Sequence, residues 1–156
     1  MDEIGRRGEA YFLAQAVPIV GIALGGVPIV SDGLRAAAGP GLVLVGVVVV
    51  FITALDMGGS LTPWPRPNGG GLIQTGPYGQ VRHPMYAGLL ASVTGFSVWT
   101  GSVDRLLLVA LLWFTLEVKS DYEERELAKV YDEYDEYKQR VVGKFLPRVL
   151  FDIRRP

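Results

Sequence analysis

GPYGQVRHPMYAGLL, residues 76–90, joins a Gly-Pro-Tyr turn and an Arg-His-Pro-x-Tyr box directly to a long apolar run. Pro84 suits the first turn of a helix, where a missing N–H leaves no bond unmade, so the box reads as a helix start. The free N–H groups at such a start favour an anionic group. The run that follows, residues 83–103, contains no Asp, Glu, Lys or Arg. At about 1.5 Å per residue it is long enough to cross a hydrocarbon core of about 30 Å. The box is therefore expected at the surface of a membrane.

Two further uncharged runs, residues 10–31 and 36–55, meet the same length requirement. A fourth, residues 106–116, is bracketed by Arg105 and Glu117 and spans only if its charged ends snorkel or face protein. With 49% hydrophobic residues in a 156-residue chain, the composition is too apolar for an ordinary soluble domain. The expected fold is a single all-α integral membrane domain over residues 1–156. Its four transmembrane helices are placed at about 10–31, 38–57, 84–101 and 104–120. No helix breaker intervenes between Arg105 and Gly143, so the last span is expected to continue as a cytoplasmic amphipathic helix over about 121–141. Leu127, Val130, Tyr131, Tyr134, Tyr137 and Val141 recur at helical spacing on one face of it.

The first run follows Arg6, Arg7 and Glu9, contains Pro18 and Pro28 and exceeds a signal-peptide core, so it reads as a retained span. With four spans and cytoplasmic termini, 13 of the 15 basic residues lie inside and only Arg35 and Arg105 outside, as the positive-inside rule requires. The 76–90 box then faces the cytoplasm. Zero cysteines exclude disulfides, thiolate metal sites and cysteine nucleophiles. A net charge of −1 gives no reason to expect a nucleic-acid partner.

Gly21, Gly25 and Gly26 have the spacing that lets membrane helices approach closely, although glycine is also simply common in such helices. Residues 58–71, GGSLTPWPRPNGGG, form an irregular connection in which three prolines forbid helix. Trp64 within it belongs at headgroup level. Asp56, before that connection, is either an interfacial carboxylate or a ligand contact. The Gly69-Gly70-Gly71 run fits neither a dinucleotide nor a P-loop fingerprint. His83 lacks a second histidine or any cysteine to share a metal, so no metal site is expected. Lys119 and Glu123, four residues apart, share a helix face past the fourth apolar run, as an intrahelical ion pair or as half of a site split between two helices.

Gly76-Pro77-Tyr78, Arg82 to Tyr86, Glu123-Glu124, Leu127, Tyr134, Tyr137 and Pro147 occur in an order and spacing that resembles the isoprenylcysteine carboxyl methyltransferase and phospholipid methyltransferase superfamily. The resemblance covers roughly residues 40–150. It implies an integral membrane methyltransferase using S-adenosylmethionine, with Gly70, Gly71, Leu72, Ile73, Tyr78, His83, Pro84, Met85, Tyr86 and Glu123 at the cofactor. By the same resemblance Lys119 and Glu124 are the catalytic or acceptor-facing pair, Glu123 and Glu124 being exchangeable by one position. The implied acceptor is a small lipophilic or lipid-linked molecule drawn from membrane lipid. Lys119 stands where the isoprenylcysteine enzymes carry arginine, and lysine does not form a bidentate fork on a carboxylate. A related histidine-proline box also occurs in NADPH-dependent membrane sterol and enone reductases, which, with a non-enzymatic small membrane protein, are the alternatives.

Overall fold

The structure, a computed structural model, describes residues 9–24, 32–58 and 71–147. Residues 25–31 of the first predicted span, with Gly25 and Gly26, lie outside the described residues, as do Arg6 and Arg7 and most of the 58–71 connection, with Trp64 and Gly70. The described residues are all-helical, without a strand. The helices are α1 (Glu9–Leu24), α2 (Asp32–Met57), α3 (Pro84–Thr100), α4 (Val103–Val130) and α5 (Tyr134–Arg140), with a 3-10 turn at Gly76–Gly79 before α3. α2 packs along α3, α3 against α4, and α4 against α1. Only α2, over Arg35–Met57, is by itself long and apolar enough to cross a membrane among the described residues; α1 carries a shorter apolar stretch, Leu13–Ala23.

Local chemistry sets the α3–α4 hairpin. Pro84 opens α3, and Gly101 closes it in the left-handed region (φ 65°, ψ 29°) with its N–H on the Val98 carbonyl. Glycine adopts that conformation without the Cβ penalty other residues meet. Ser102 then caps α4, its hydroxyl accepting from Arg105 N at 3.3 Å.

Of the three glycines of the first run only Gly21 is described. Gly21 meets only the flexible end of Leu108, while the α2–α3 seam is backbone against backbone. A Cβ on Gly46 would come within 2.5 Å of the Gly88 carbonyl and Ser92 N, and one on Gly95 within 2.6 Å of Val43 N. Gly39 faces Trp99 in the same way, so antiparallel glycines run the length of the seam. Small residues let helices gain dispersion contact where lipid supplies no hydrophobic drive.

The helix expected over 121–141 is interrupted. α4 runs on past the fourth apolar stretch but ends at Val130, where Tyr131 turns extended (φ −120°, ψ 108°). The break lets Tyr134, Tyr137 and Val141 of the next segment bury against Leu72, Leu127 and Tyr131. Val130, on the same predicted face, stays exposed. A straight helix would have carried the two tyrosines away from the body of the protein.

The glycine seam makes a clean prediction. Gly46→Ala forces the seam apart and should cost about 1–3 kcal/mol, as overpacking does. Gly41→Ala, where a Cβ meets nothing within 4 Å, should be neutral or stabilising by up to about 1 kcal/mol through helix propensity. Thermal unfolding of both variants in detergent checks the contrast.

Candidate functional site

The Arg-His-Pro box is held from two sides. Arg82 N donates to the Gly143 carbonyl at 2.9 Å and His83 N to the Lys144 carbonyl at 3.0 Å, so residues 141–147 lie as a strap along the box. Lys144 Nζ ties the strap to α4 through Glu117 Oε1 and Asp121 Oδ1, each at 2.7 Å. Upstream, Tyr137 OH donates to the Tyr78 carbonyl at 2.8 Å and anchors the 3-10 turn on α5. Gly76 enters that turn at φ 57°, and any Cβ there would meet Asp56 Oδ2 at 2.7 Å.

Glu124 is the charged centre of this assembly and only 3% exposed. Arg82 Nε donates to its Oε1 at 2.8 Å, and Arg82 Nη1 continues to the Val141 and Val142 carbonyls at 2.8 and 2.7 Å. His83 Nε2 lies 3.3 Å from the same Oε1. Lys138 Nζ stands 2.7 Å from Oε2, an ion pair without directed hydrogen-bond geometry. Burial by itself would raise the Glu124 pKa; the close contacts with His83, Lys138 and Arg82 outweigh it and hold the carboxyl far below the usual glutamate range.

Glu123 looks into the other side of the cluster. Tyr86 OH donates to its Oε1 at 2.6 Å, Lys119 Nζ is 3.8 Å from that oxygen, and His83 Nδ1 is 3.6 Å from Oε2. The His83 ring therefore sits between two carboxylates. It stacks on Tyr86 with centroids 5.5 Å apart and planes 2° from parallel. Phe145, from the strap, closes on both rings edge-on at 6.2 and 6.3 Å. Lys119 is 2% exposed, lies 5.1 Å over the Tyr86 face and donates to Gln15 Oε1 at 2.9 Å. The Tyr78 phenol is pushed up to about 12, first by burial and then by Tyr137, Glu123 and Asp56, so it stays neutral at physiological pH.

Among the residues singled out from sequence, the structure brings His83, Tyr86, Lys119, Glu123 and Glu124 into one cluster on facing ends of α3 and α4. Tyr78 flanks it electrostatically, and Pro84 and Met85 form the helix start beneath it. Gly71, Leu72 and Ile73 approach without regular secondary structure, and Leu72 packs against the Tyr134 and Tyr137 group instead. Sequence reasoning missed the Arg82 clamp, Lys138, Gln15 and the Phe145 wall. Arg82 stood next to His83 in the box, but its partner Glu124 is 42 positions away and no local spacing connects them. Among the described residues no three His, Cys, Asp or Glu side chains form a group that could hold a metal ion.

A family model described as phospholipid methyltransferase matches residues 34–134, more than half of the chain. The nickel-cobalt-cadmium resistance protein NccN of Alcaligenes xylosoxydans xylosoxydans is 31% identical over 81 residues, which are 50% of this chain and 37% of that protein. The chain thus spans well under half the length of that curated relative.

The clamp predicts an acid response. The Glu124 carboxyl titrates lower in the folded protein than its ordinary value of about 4.3, so its stabilisation is complete above that value and erodes as pH falls through it toward the folded pKa. Wild-type protein should lose unfolding midpoint steadily between pH 5 and about pH 3, and Glu124→Gln should start less stable and show a shallower acid slope. Arg82→Ala, which removes the best-directed donor from the buried carboxylate, should cost about 1.5–3 kcal/mol at neutral pH. Denaturant titrations in detergent at stepped pH measure both.

Proposed function

The chain belongs to the phospholipid methyltransferase family, and we propose that it transfers a methyl group from S-adenosylmethionine to a small lipophilic or lipid-linked acceptor at the cytoplasmic face of a membrane. The observation that carries this reading is the meeting of the His83–Tyr86 helix start with the Glu123–Glu124 pair of α4, aromatic faces beside a carboxylate. That donor set suits a ligand with a cationic sulfonium, an amino group and ribose hydroxyls, since π faces attract cations and a carboxylate accepts from N–H and O–H groups. S-adenosylmethionine supplies an electrophilic methyl group. The protein's part is to align the acceptor with it and exclude water.

Each residue then has a task. Both Glu124 oxygens are occupied by Arg82, His83 and Lys138, so Glu124 positions the box and Glu123 is the carboxylate that meets the cofactor. Tyr86, held by Glu123, presents its ring; Phe145 shields the same corner from water. His83, between the two carboxylates, is the group best placed to take a proton from a phenol or amine acceptor. Lys119 stands one helical turn before Glu123, where its ammonium meets the polar end of the acceptor.

Exposed apolar side chains support a membrane setting. Leu44, Val48, Phe51 and Leu55 on α2 and Leu107 and Phe114 on α4 point away from the protein. Large apolar faces of this kind need lipid or another protein to cover them. Residues 1–156 act as one domain in this reading, with four spans and both termini in the cytoplasm, which the asymmetry of basic residues favours.

Calorimetry with S-adenosylhomocysteine tests the proposal. His83→Ala and Glu123→Ala should each weaken binding by about tenfold or more, the worth of one hydrogen bond to a charged group, with the fold retained by circular dichroism. Lys119→Ala should keep cofactor affinity and lose methyl transfer. Wild-type affinity in both of the first two variants would remove the site.

A further inference from the structure

Gln15 is the one amide or charged side chain in residues 10–24. Across the seam of α1 against α4, Arg105 Nε donates to the Ile22 carbonyl at the far end, and the other contacts described are aromatic or apolar. Tyr11 packs on Tyr122 with centroids 5.3 Å apart, and Ile22 is buried in the core with Leu112 and Leu116. Isoleucine or leucine at position 15 would continue that seam with no polar group to desolvate. A lone polar residue on an apolar membrane helix is by default a functional one with a definite partner, and the partner here is the Lys119 ammonium at 2.9 Å.

The geometry around Lys119 explains the need. Its ammonium has three N–H donors and no acceptor. Glu123 stands at 3.8 Å, too long for a hydrogen bond, and Tyr86 offers only its π face. Tyr86 OH already occupies the nearer Glu123 oxygen at 2.6 Å. Without a fixed acceptor the flexible lysine stem would let the ammonium collapse onto Glu123 and take that carboxylate away from the cofactor. The Gln15 carbonyl, approaching from a third helix, holds it apart.

We infer that Gln15 is a positioning residue for the acceptor end of the site: α1, which lies outside the matched residues 34–134, fixes the Lys119 ammonium where it meets the acceptor headgroup and keeps Glu123 for the cofactor. The inference rests on the methyl-transfer reading above. It makes α1 part of the reaction machinery and separates two functions of one cluster, Lys119 toward the acceptor and Glu123 toward the cofactor.

The test compares wild type, Gln15→Leu and Gln15→Glu in detergent. S-adenosylhomocysteine affinity is read by calorimetry, and transfer of tritiated methyl from S-adenosylmethionine is read in mixed vesicles of phosphatidylethanolamine and N-acetyl-S-farnesylcysteine. Gln15→Leu should raise KM for the lipid probe tenfold or more and, with the ammonium drawn onto Glu123, weaken S-adenosylhomocysteine binding severalfold. Gln15→Glu, which restores an oxygen acceptor, should recover most of that loss; loss of helix packing alone would not be rescued by a charge. Unchanged lipid KM in Gln15→Leu, or equal loss in both variants, overturns the role of Gln15 while leaving methyl transfer standing. A wild-type protein that binds no S-adenosylhomocysteine overturns the methyl-transfer reading itself, and this inference with it.

Discussion

A buried carboxylate holds the functional half of this protein together. Glu124 on α4 is reached by Arg82 and His83 ahead of α3 and by Lys138 on α5, so three chain segments converge on one side chain. Arg82 directs its Nη1 donors to the strap at Val141 and Val142. Two charges taken out of water are stabilising only where hydrogen bonds replace their hydration, and the Arg82–Glu124 pair is supplied with them from both sides. Shape follows from that pairing: the strap lies along the box, Phe145 reaches the His83 and Tyr86 rings, and Glu123, one position earlier on α4, is turned toward them.

Much of this was legible in the sequence because its causes are local. Pro84 at a helix start and the i, i+4 relation of Lys119 and Glu123 each depend on residues within one turn of one another, and the apolar runs on stretches of contiguous sequence. The gathering of His83, Tyr86, Lys119, Glu123 and Glu124 followed from a resemblance in order and spacing rather than from any local rule. Long-range partners carry no such signature. Arg82 finds Glu124, Gln15 finds Lys119 and Gly46 finds Gly88 only after the helices have packed. The break at Tyr131 was hidden for a related reason, since the 121–141 segment has helical periodicity throughout and only the tertiary burial of Tyr134 and Tyr137 overrides it.

The division between Glu123 and Glu124 shows how one position on a helix changes chemistry. A step of about 100° around α4 separates a carboxylate locked by three basic groups from one bound by a phenol and flanked by an ammonium and an imidazole. The first is fixed in its charge state and suited to holding structure. The second keeps an oxygen 3.6 Å from His83 Nδ1, the kind of loosely held contact a ligand can replace. Lysine at 119 rather than arginine keeps the neighbouring charge a compact point rather than a bidentate fork.

The most direct measurement is photo-crosslinking of tritiated S-adenosylmethionine to the purified full chain, with the labelled peptides mapped by proteolysis and mass spectrometry. The account predicts saturable label, displaced by S-adenosylhomocysteine, on peptides from residues 76–90 and 117–127. Saturable label confined to other segments, or label that S-adenosylhomocysteine does not displace, would contradict it.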